Sequence, residues 1–267
     1  MNSIDSIGGF NLMKNTEFTT IKVHFESAVC YIQFDRIEAN NTINQLMIDE
    51  LYEVISLIDK NTKIVVLEGS NDIFCFGADF NDINLNCNDL TNINSNNNLY
   101  ELWEKMINSD LIFISHVCGK VNAGGIGFVA ASDIVIANPN AIFSLSELLF
   151  GLYPAMVFPF LKRKIGLSKA NYLTLMTSPI SANLACQWGL VDVCDERDAI
   201  ILKRHISRLS KLPKNGVGEY KAYVNRLESD IECAKEIAIT ANRRIFSNAE
   251  NTTRIYEFSH YGKYPWE

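Results

Sequence analysis

No run of apolar residues in this 267-residue chain approaches the roughly 18–20 that a membrane-spanning helix needs. The opening MNSIDSIGGFNLMKN lacks a basic start followed by an apolar stretch, so no signal peptide is expected. The seven cysteines are odd in number, scattered from Cys30 to Cys233, and form no CxxC pair. That pattern points away from a disulfide framework and towards reduced thiols. There is no HExxH, and His24, His205 and His260 show no metal-ligand spacing, so neither a metal nor another cofactor is expected. No internal repeat is apparent. A soluble, cytoplasmic protein is the expectation.

Bases are also in short supply: 24 against 31 acids, a net charge of −7. Such a field disfavours bulk binding to nucleic acid or to an anionic membrane. The deficit is one-sided, because residues 1–159 hold 7 bases and 19 acids while residues 160–267 hold 17 and 12. The basic half contains Lys162-Arg163-Lys164, Lys169, Lys203-Arg204, Arg208, Lys211 and Lys214. These residues form either a docking face for an acidic partner or a solvated helix surface. With 48% hydrophobic and 21% charged residues, the composition is that of a globular protein.

Short apolar runs occur at 19–25, 29–34, 63–69, 111–117 and 133–137. The first two read as a hairpin across Glu26, Ser27 and Ala28, and the rest as buried strands of an α/β core. Residues 44–59 place Leu46, Met47, Leu51, Ile55 and Ile58 at helical spacing behind an Asn44 cap. Beyond about residue 157 strand signals nearly vanish, and 157–176, 181–188, 198–211 and 217–246 read as helices before an aromatic tail. Residues 81–98 hold nine asparagines and neither Gly nor Pro, which reads as a biased surface loop or as a lid beside a site.

Two turns carry chemistry. Phe76-Gly77-Ala78-Asp79 follows one strand, and Asn122-Ala123-Gly124-Gly125-Ile126-Gly127 follows another and opens an apolar helix. Backbone N–H groups are left unpaired at such places. Two of them, one from each turn, can converge on a carbonyl oxygen and hold an oxyanion. The run is not a dinucleotide fingerprint, since GxGxxG is incomplete. Further on, Glu147 stands among Leu145, Leu148, Leu149 and Phe150. It is either a catalytic carboxylate or the last residue of a capping box led by Ser144. Lys120, Asn122 and Tyr153 are candidate substrate contacts, each with a packing or solvated alternative. Asp79 reads as a helix cap, His116 as a hydrogen-bonded core histidine, and Cys75 as packing.

In combination and in order, Asp35-Arg36, Asn41-Thr42-Ile43-Asn44, FCFGADF, GKVNAGGIGF, FSLSELLFGLYP, Pro179-Ile180-Ser181-Ala182 and Trp188-Gly189-Leu190-Val191-Asp192 resemble the crotonase (enoyl-CoA hydratase/isomerase) superfamily. The resemblance implies an α/β spiral of ββα units over 1–198, with the active site, and a C-terminal helical trimerisation region over 199–267. It places the oxyanion-hole N–H groups on Ala78 and Gly124 and one catalytic glutamate on Glu147. The hydratases' other catalytic glutamate falls on Gly127 and is missing, which argues against ordinary enoyl-CoA hydration. The details NNTIN, FCFGADF, LMTSPIS and the terminal YPWE resemble the dehydratases of bacterial polyketide β-branching cassettes. That branch implies dehydration of a 3-hydroxy-3-methylglutaryl thioester on the phosphopantetheine arm of an acyl carrier protein. It also implies a homotrimer or hexamer and a downstream decarboxylase as pathway partner. A decarboxylase of the same cassette, a generic CoA hydratase or isomerase, and a non-catalytic scaffold or RNA-binding protein are the competing readings.

Overall fold

The computed structural model describes residues 17–79, 92–228 and 230–267. Ten strands follow in chain order: β1 (Ile21–Glu26), β2 (Val29–Phe34), β3 (Ile64–Glu68), β4 (Ile73–Cys75) and β5 (Ile112–Val117). Then come β6 (Lys120–Asn122), β7 (Ile134–Ala137), β8 (Ile142–Ser144), β9 (Ile180–Ser181) and β10 (Val193–Cys194). The described helices are α1 (Gln45–Leu57), α2 (Asn92–Asn108), α3 (Gly124–Ala131), α4 (Phe158–Met176) and α5 (Ala182–Trp188). They continue with α6 (Asp198–Leu209), α7 (Lys214–Leu227), α8 (Asp230–Phe246) and α9 (Ala249–Tyr261).

The strands form a six-stranded sheet, β1-β2-β3-β5-β7-β10, and a four-stranded sheet, β4-β6-β8-β9. All pairs are parallel except the β1-β2 hairpin and β8-β9. Successive turns of chain supply one strand to each sheet and then a helix: β3-β4-α2, then β5-β6-α3. This is the expected ββα spiral. Its consequence is that β4 and β6 lie side by side and release their following turns at the same end of the small sheet.

Alternation along the parallel strands builds two apolar layers. Val29, Ile64, Val66, Ile112, Ile114 and Ile136 face out and are covered by Leu202 of α6, with Val217 of α7 packed against them. Cys30, Ile32, Val65, Leu67, Phe113, Val117 and Val135 face the main core with α1 to α4. Both faces being covered is why β5 is buried along its whole length. The Asn44 side chain caps α1 as expected, accepting from the Met47 N–H at 2.9 Å. Leu46, expected on the apolar face, is exposed.

Several expectations are corrected. The small sheet was legible only as turns, because β4, β6 and β8 are three residues each. Strands also recur late, as the two-residue β9 and β10. The single helix expected over 217–246 is two, α7 and α8, and the tail holds α9, capped by Asn248, whose side chain accepts from Glu250 N–H at 2.9 Å. From Asn92 the asparagine-rich stretch is helix rather than loop. The lid reading of 81–91 lies outside the described residues. No helix among the described residues is long and apolar enough to cross a membrane.

Candidate active site

The two turns leave β4 and β6 where Cys75 and Val121 pair. Ile43 bridges the first of them: its N–H donates to Gly77 O at 2.7 Å, and Asp79 N–H donates to Ile43 O at 2.9 Å. In an extended strand the residue between those two contacts presents its own N–H to the other side. Ala78 is that residue. A Cβ built on Gly124 would lie 3.8 Å from Ala78 N and 3.6 Å from Gly77 Cα, so the two turns touch. Gly124 opens α3, so its N–H has no partner within the helix. Neither Ala78 N–H nor Gly124 N–H donates a hydrogen bond among the described residues. Two adjacent unpaired N–H groups can stabilise a thioester oxygen as it gains charge. Gly77 makes this approach possible: its φ is +94°, and a Cβ there would sit 2.7 Å from Ala123 Cβ.

A charged clamp holds the first turn. The Arg36 guanidinium donates to Asp79 Oδ2 at 2.7 Å and to Thr42 O, and both Arg36 and Asp79 are largely buried. Asn41 accepts from Arg36 N–H at 2.8 Å and donates to Ile73 O and Phe74 O. Asp79 is therefore half of an ion pair that flanks Ala78; the chain after it, where a capped helix would begin, lies outside the described residues. Arg36 and Asn41 are site-building residues visible in the sequence only as part of the matching motif. Arg36→Met removes the cation facing a buried carboxylate and should cost about 3–5 kcal/mol in urea denaturation. Adding Asp79→Asn should return part of that loss; no recovery in the double variant would refute the pairing.

Asn122 ties the second turn to the segment bearing Glu147. Its Oδ1 accepts from Ser144 Oγ at 2.8 Å and its Nδ2 donates to Ser146 Oγ at 2.9 Å. Ser144 is thus a strand residue bonded across the small sheet, and no capping box forms. Glu147 begins a 3-10 turn, Glu147–Phe150, that ends at Gly151. Its Oε2 is buried without a hydrogen-bond partner. Burial pushes the carboxyl up to about 7, partly offset by the backbone N–H groups of Glu147 and Ser146. Behind the turn, Phe150, Leu152 and Ala155 pack on Ile245 of α8 and Ile255 of α9, with Phe258 4.9 Å from Phe150 between ring centres.

At Gly127 a Cβ would lie 2.2 Å from Trp103 Cζ2, so the indole fills the room a side chain would need. Trp103 is fully buried, stands edge-on to Phe128 and Phe160, and its Nε1 has no hydrogen-bond partner. Lys120 is exposed at the start of β6, and Tyr153 is 43% exposed after the Glu147 turn. Neither side chain makes a hydrogen bond to Glu147 or Asn122 among the described residues. Burial pushes the Cys75 thiol up to about 12, so it stays protonated and unreactive. His116 is the hydrogen-bonded core histidine expected, between Glu68 and Asp198. The basic run 162–164 is committed within the chain: Lys162 to Asp230, Arg163 to Asn225, and Lys164 to Ser132 O and Asp192.

Spiral, paired turns and a buried carboxylate together make a site able to move a proton beside a stabilised oxyanion. The chain matches the enoyl-CoA hydratase/isomerase family over residues 24–267 and belongs to it. It is a hydro-lyase. It is 48% identical to the bacillaene synthase dehydratase PksH of Bacillus subtilis over 252 residues, 94% of this chain and 97% of that one. The crystal structure of a polyketide biosynthesis enoyl-CoA hydratase (pksH) from the same species superposes with a TM-score of 0.87 at 46% identity, covering 93% of this chain and all of the other. The 2,3-dehydroadipyl-CoA hydratase of Escherichia coli is 25% identical over 83% of this chain and 87% of its own.

Proposed function

We propose that the protein dehydrates a 3-hydroxy-3-methylglutaryl thioester carried by an acyl carrier protein, giving the 3-methylglutaconyl thioester in polyketide β-branching. The observation that carries this reading is a buried carboxylate, Glu147, whose Oε2 has no hydrogen-bond partner and whose turn is tied through Asn122 to a pair of unpaired N–H groups, with an indole where a second acid would stand. The likeness to a bacillaene synthase dehydratase supports the pathway.

Ionised Glu147 takes the α-proton, and the C–H electron pair moves into the enolate whose oxygen is held by Ala78 and Gly124 N–H. The protonated Glu147 then gives that proton to the tertiary β-hydroxyl. As water leaves, the enolate pair becomes the Cα–Cβ double bond and the thioester carbonyl re-forms. One group serves both steps, and a carboxyl near 7 suits both roles at neutral pH. Asn122 is a positioning residue in this scheme. No bound cofactor takes part; the phosphopantetheine arm belongs to the substrate. The protein would assemble as a trimer or hexamer and pass its product to a crotonase-like decarboxylase. With 162–164 occupied internally, the exposed Lys203, Arg204 and Arg208 of α6, with Lys169 and Lys211, are the bases of that cluster left to meet an acidic carrier.

Mass spectrometry of the loaded carrier tests the reading: loss of water is expected, whereas loss of carbon dioxide or no change overturns it. Because the base must be ionised, kcat/KM for that substrate should rise with pH through about 7. An ascending limb near 4–5, the ordinary carboxylate range, would show that Glu147 is not the base.

A further inference from the structure

On the α6 face of the six-stranded sheet, three potential ligands meet that are far apart or unremarkable in the sequence. His116 continues the outward series of Ile112 and Ile114 at the end of β5, Cys118 follows in the link to β6, and Asp198 opens α6. His116 Nε2 lies 3.2 Å from Asp198 Oδ2, Cys118 Sγ lies 3.4 Å from the same oxygen, and Sγ and Nε2 are 3.9 Å apart. We propose that His116, Cys118 and Asp198 form a binding site for a borderline divalent cation, zinc foremost, with water in the fourth position.

The dimensions suit that ion. Zinc bonds of about 2.0–2.1 Å to nitrogen or oxygen and about 2.3 Å to sulfur give tetrahedral ligand–ligand edges of about 3.3–3.6 Å. The observed triangle brackets this range, and a few tenths of an ångström closes it. Thiolate, imidazole and carboxylate together favour zinc over calcium or magnesium, which take all-oxygen sets. The outer layer is in place too. His116 Nδ1 is 2.7 Å from Glu68 Oε1, the carboxylate–histidine arrangement that orients a ligating imidazole and raises its basicity. Asp198 Oδ1 is held by Ala199 N–H at 2.9 Å, and Asn138 Nδ2 stands 3.4 Å from Oδ2.

The ligands sit on rigid supports. His116 is paired in the ladder with Glu68 of β3 and Ile136 of β7. Next to Cys118, a Cβ on Gly119 would come within 2.2 Å of the Asp72 backbone, so the link has one course. His116 and Asp198 are buried while Cys118 is half-exposed, which leaves the sulfur side open to an entering ion and its water. With no metal bound, a proton on His116 shared between Glu68 and Asp198 satisfies the same groups; the ion replaces that proton and the thiol proton. The ion would fasten the start of α6 to the end of β5, and it plays no part in the dehydration.

The test uses the reduced full-length protein titrated with Co2+. One equivalent should bind with a thiolate-to-cobalt charge-transfer band, and Zn2+ should displace it. Cys118→Ser should abolish the band, Cys233→Ser, which alters an exposed thiol, should keep it, and Glu68→Gln should weaken Zn2+ binding by about 10–100-fold. Zn2+ should raise the melting temperature of the unaltered chain and not that of Cys118→Ser. Absence of a stoichiometric band in the unaltered protein, or a band that persists in Cys118→Ser, overturns the site and leaves an imidazolium between two carboxylates.

Discussion

Glu147→Gln should abolish dehydration and, at pH 8, yield a protein more stable than the unaltered chain. The first effect follows from one group moving the proton both ways; general acid–base roles are each worth about 10²–10⁴-fold, so a loss of at least ~10³-fold is expected. The second follows from burial. In the folded chain the carboxyl titrates at about 7, above its ordinary value of 4.5, so the folded state holds the proton more tightly than the unfolded state. Stability from this group is fully present below the unfolded value and is lost as pH rises through the folded one. By pH 8 the ionised carboxylate costs roughly 3 kcal/mol, which glutamine never incurs. Urea denaturation at pH 4.5 and pH 8 checks the sign: the variant's advantage should be near zero at the lower pH and largest at the upper. Activity within tenfold of the unaltered enzyme would remove Glu147 from the mechanism. A stability gap independent of pH would remove the buried charge.

Gly127→Ala should destabilise the fold by at least ~3 kcal/mol, a large penalty for one methyl group. Overpacking a filled core costs about 1–3 kcal/mol when neighbours can shift. Here the neighbour is an indole wedged between Phe128 and Phe160, and the new carbon would sit 2.2 Å from it. Gly127→Glu should therefore fail to yield soluble protein, and restoring a second carboxylate by that route does not make a hydratase. Trp103→Phe trims the ring atoms nearest Gly127. In that background Gly127→Ala should cost about 1–3 kcal/mol less, a coupling measurable by a double-mutant cycle. Strict additivity would mean that the indole is not what excludes the side chain.

The long parallel strands were legible because each alternates between two apolar layers, and α1 announced itself through Asn44 and its apolar spacing. The small sheet was not, since three residues carry no periodicity; only the spiral path puts β4, β6 and β8 side by side. Ala78, Gly124 and Glu147 could be picked out because the crotonase resemblance places the family's site residues on them; taken alone, small residues after strands and an acid among leucines read equally as packing and capping. Arg36, Asn41 and Trp103 could not. Their importance lies in what they touch, namely Asp79 and Thr42, the β4 carbonyls, and the space above Gly127. The His116–Cys118–Asp198 cluster was hidden for the same reason, Asp198 lying 80 residues from Cys118 in the chain. α9 escaped notice because AENTTRIYEFSHY buries little besides Asn251 and Ile255.

The packing of α8 and α9 behind the Glu147 turn also orders events in time. Phe150 and Leu152 lean on Ile245, Ile255 and Phe258, which follow them far along the chain and are synthesised well after them. At about 5–20 residues per second, the roughly 110 residues between the turn and its support take about 5–20 s to appear. Until then the nascent chain can close its sheets around the paired N–H groups while the Glu147 turn lacks the helices that back it. The Glu147 turn thus waits on α8 and α9, and partial chains released before them should be folded in their sheets yet inert.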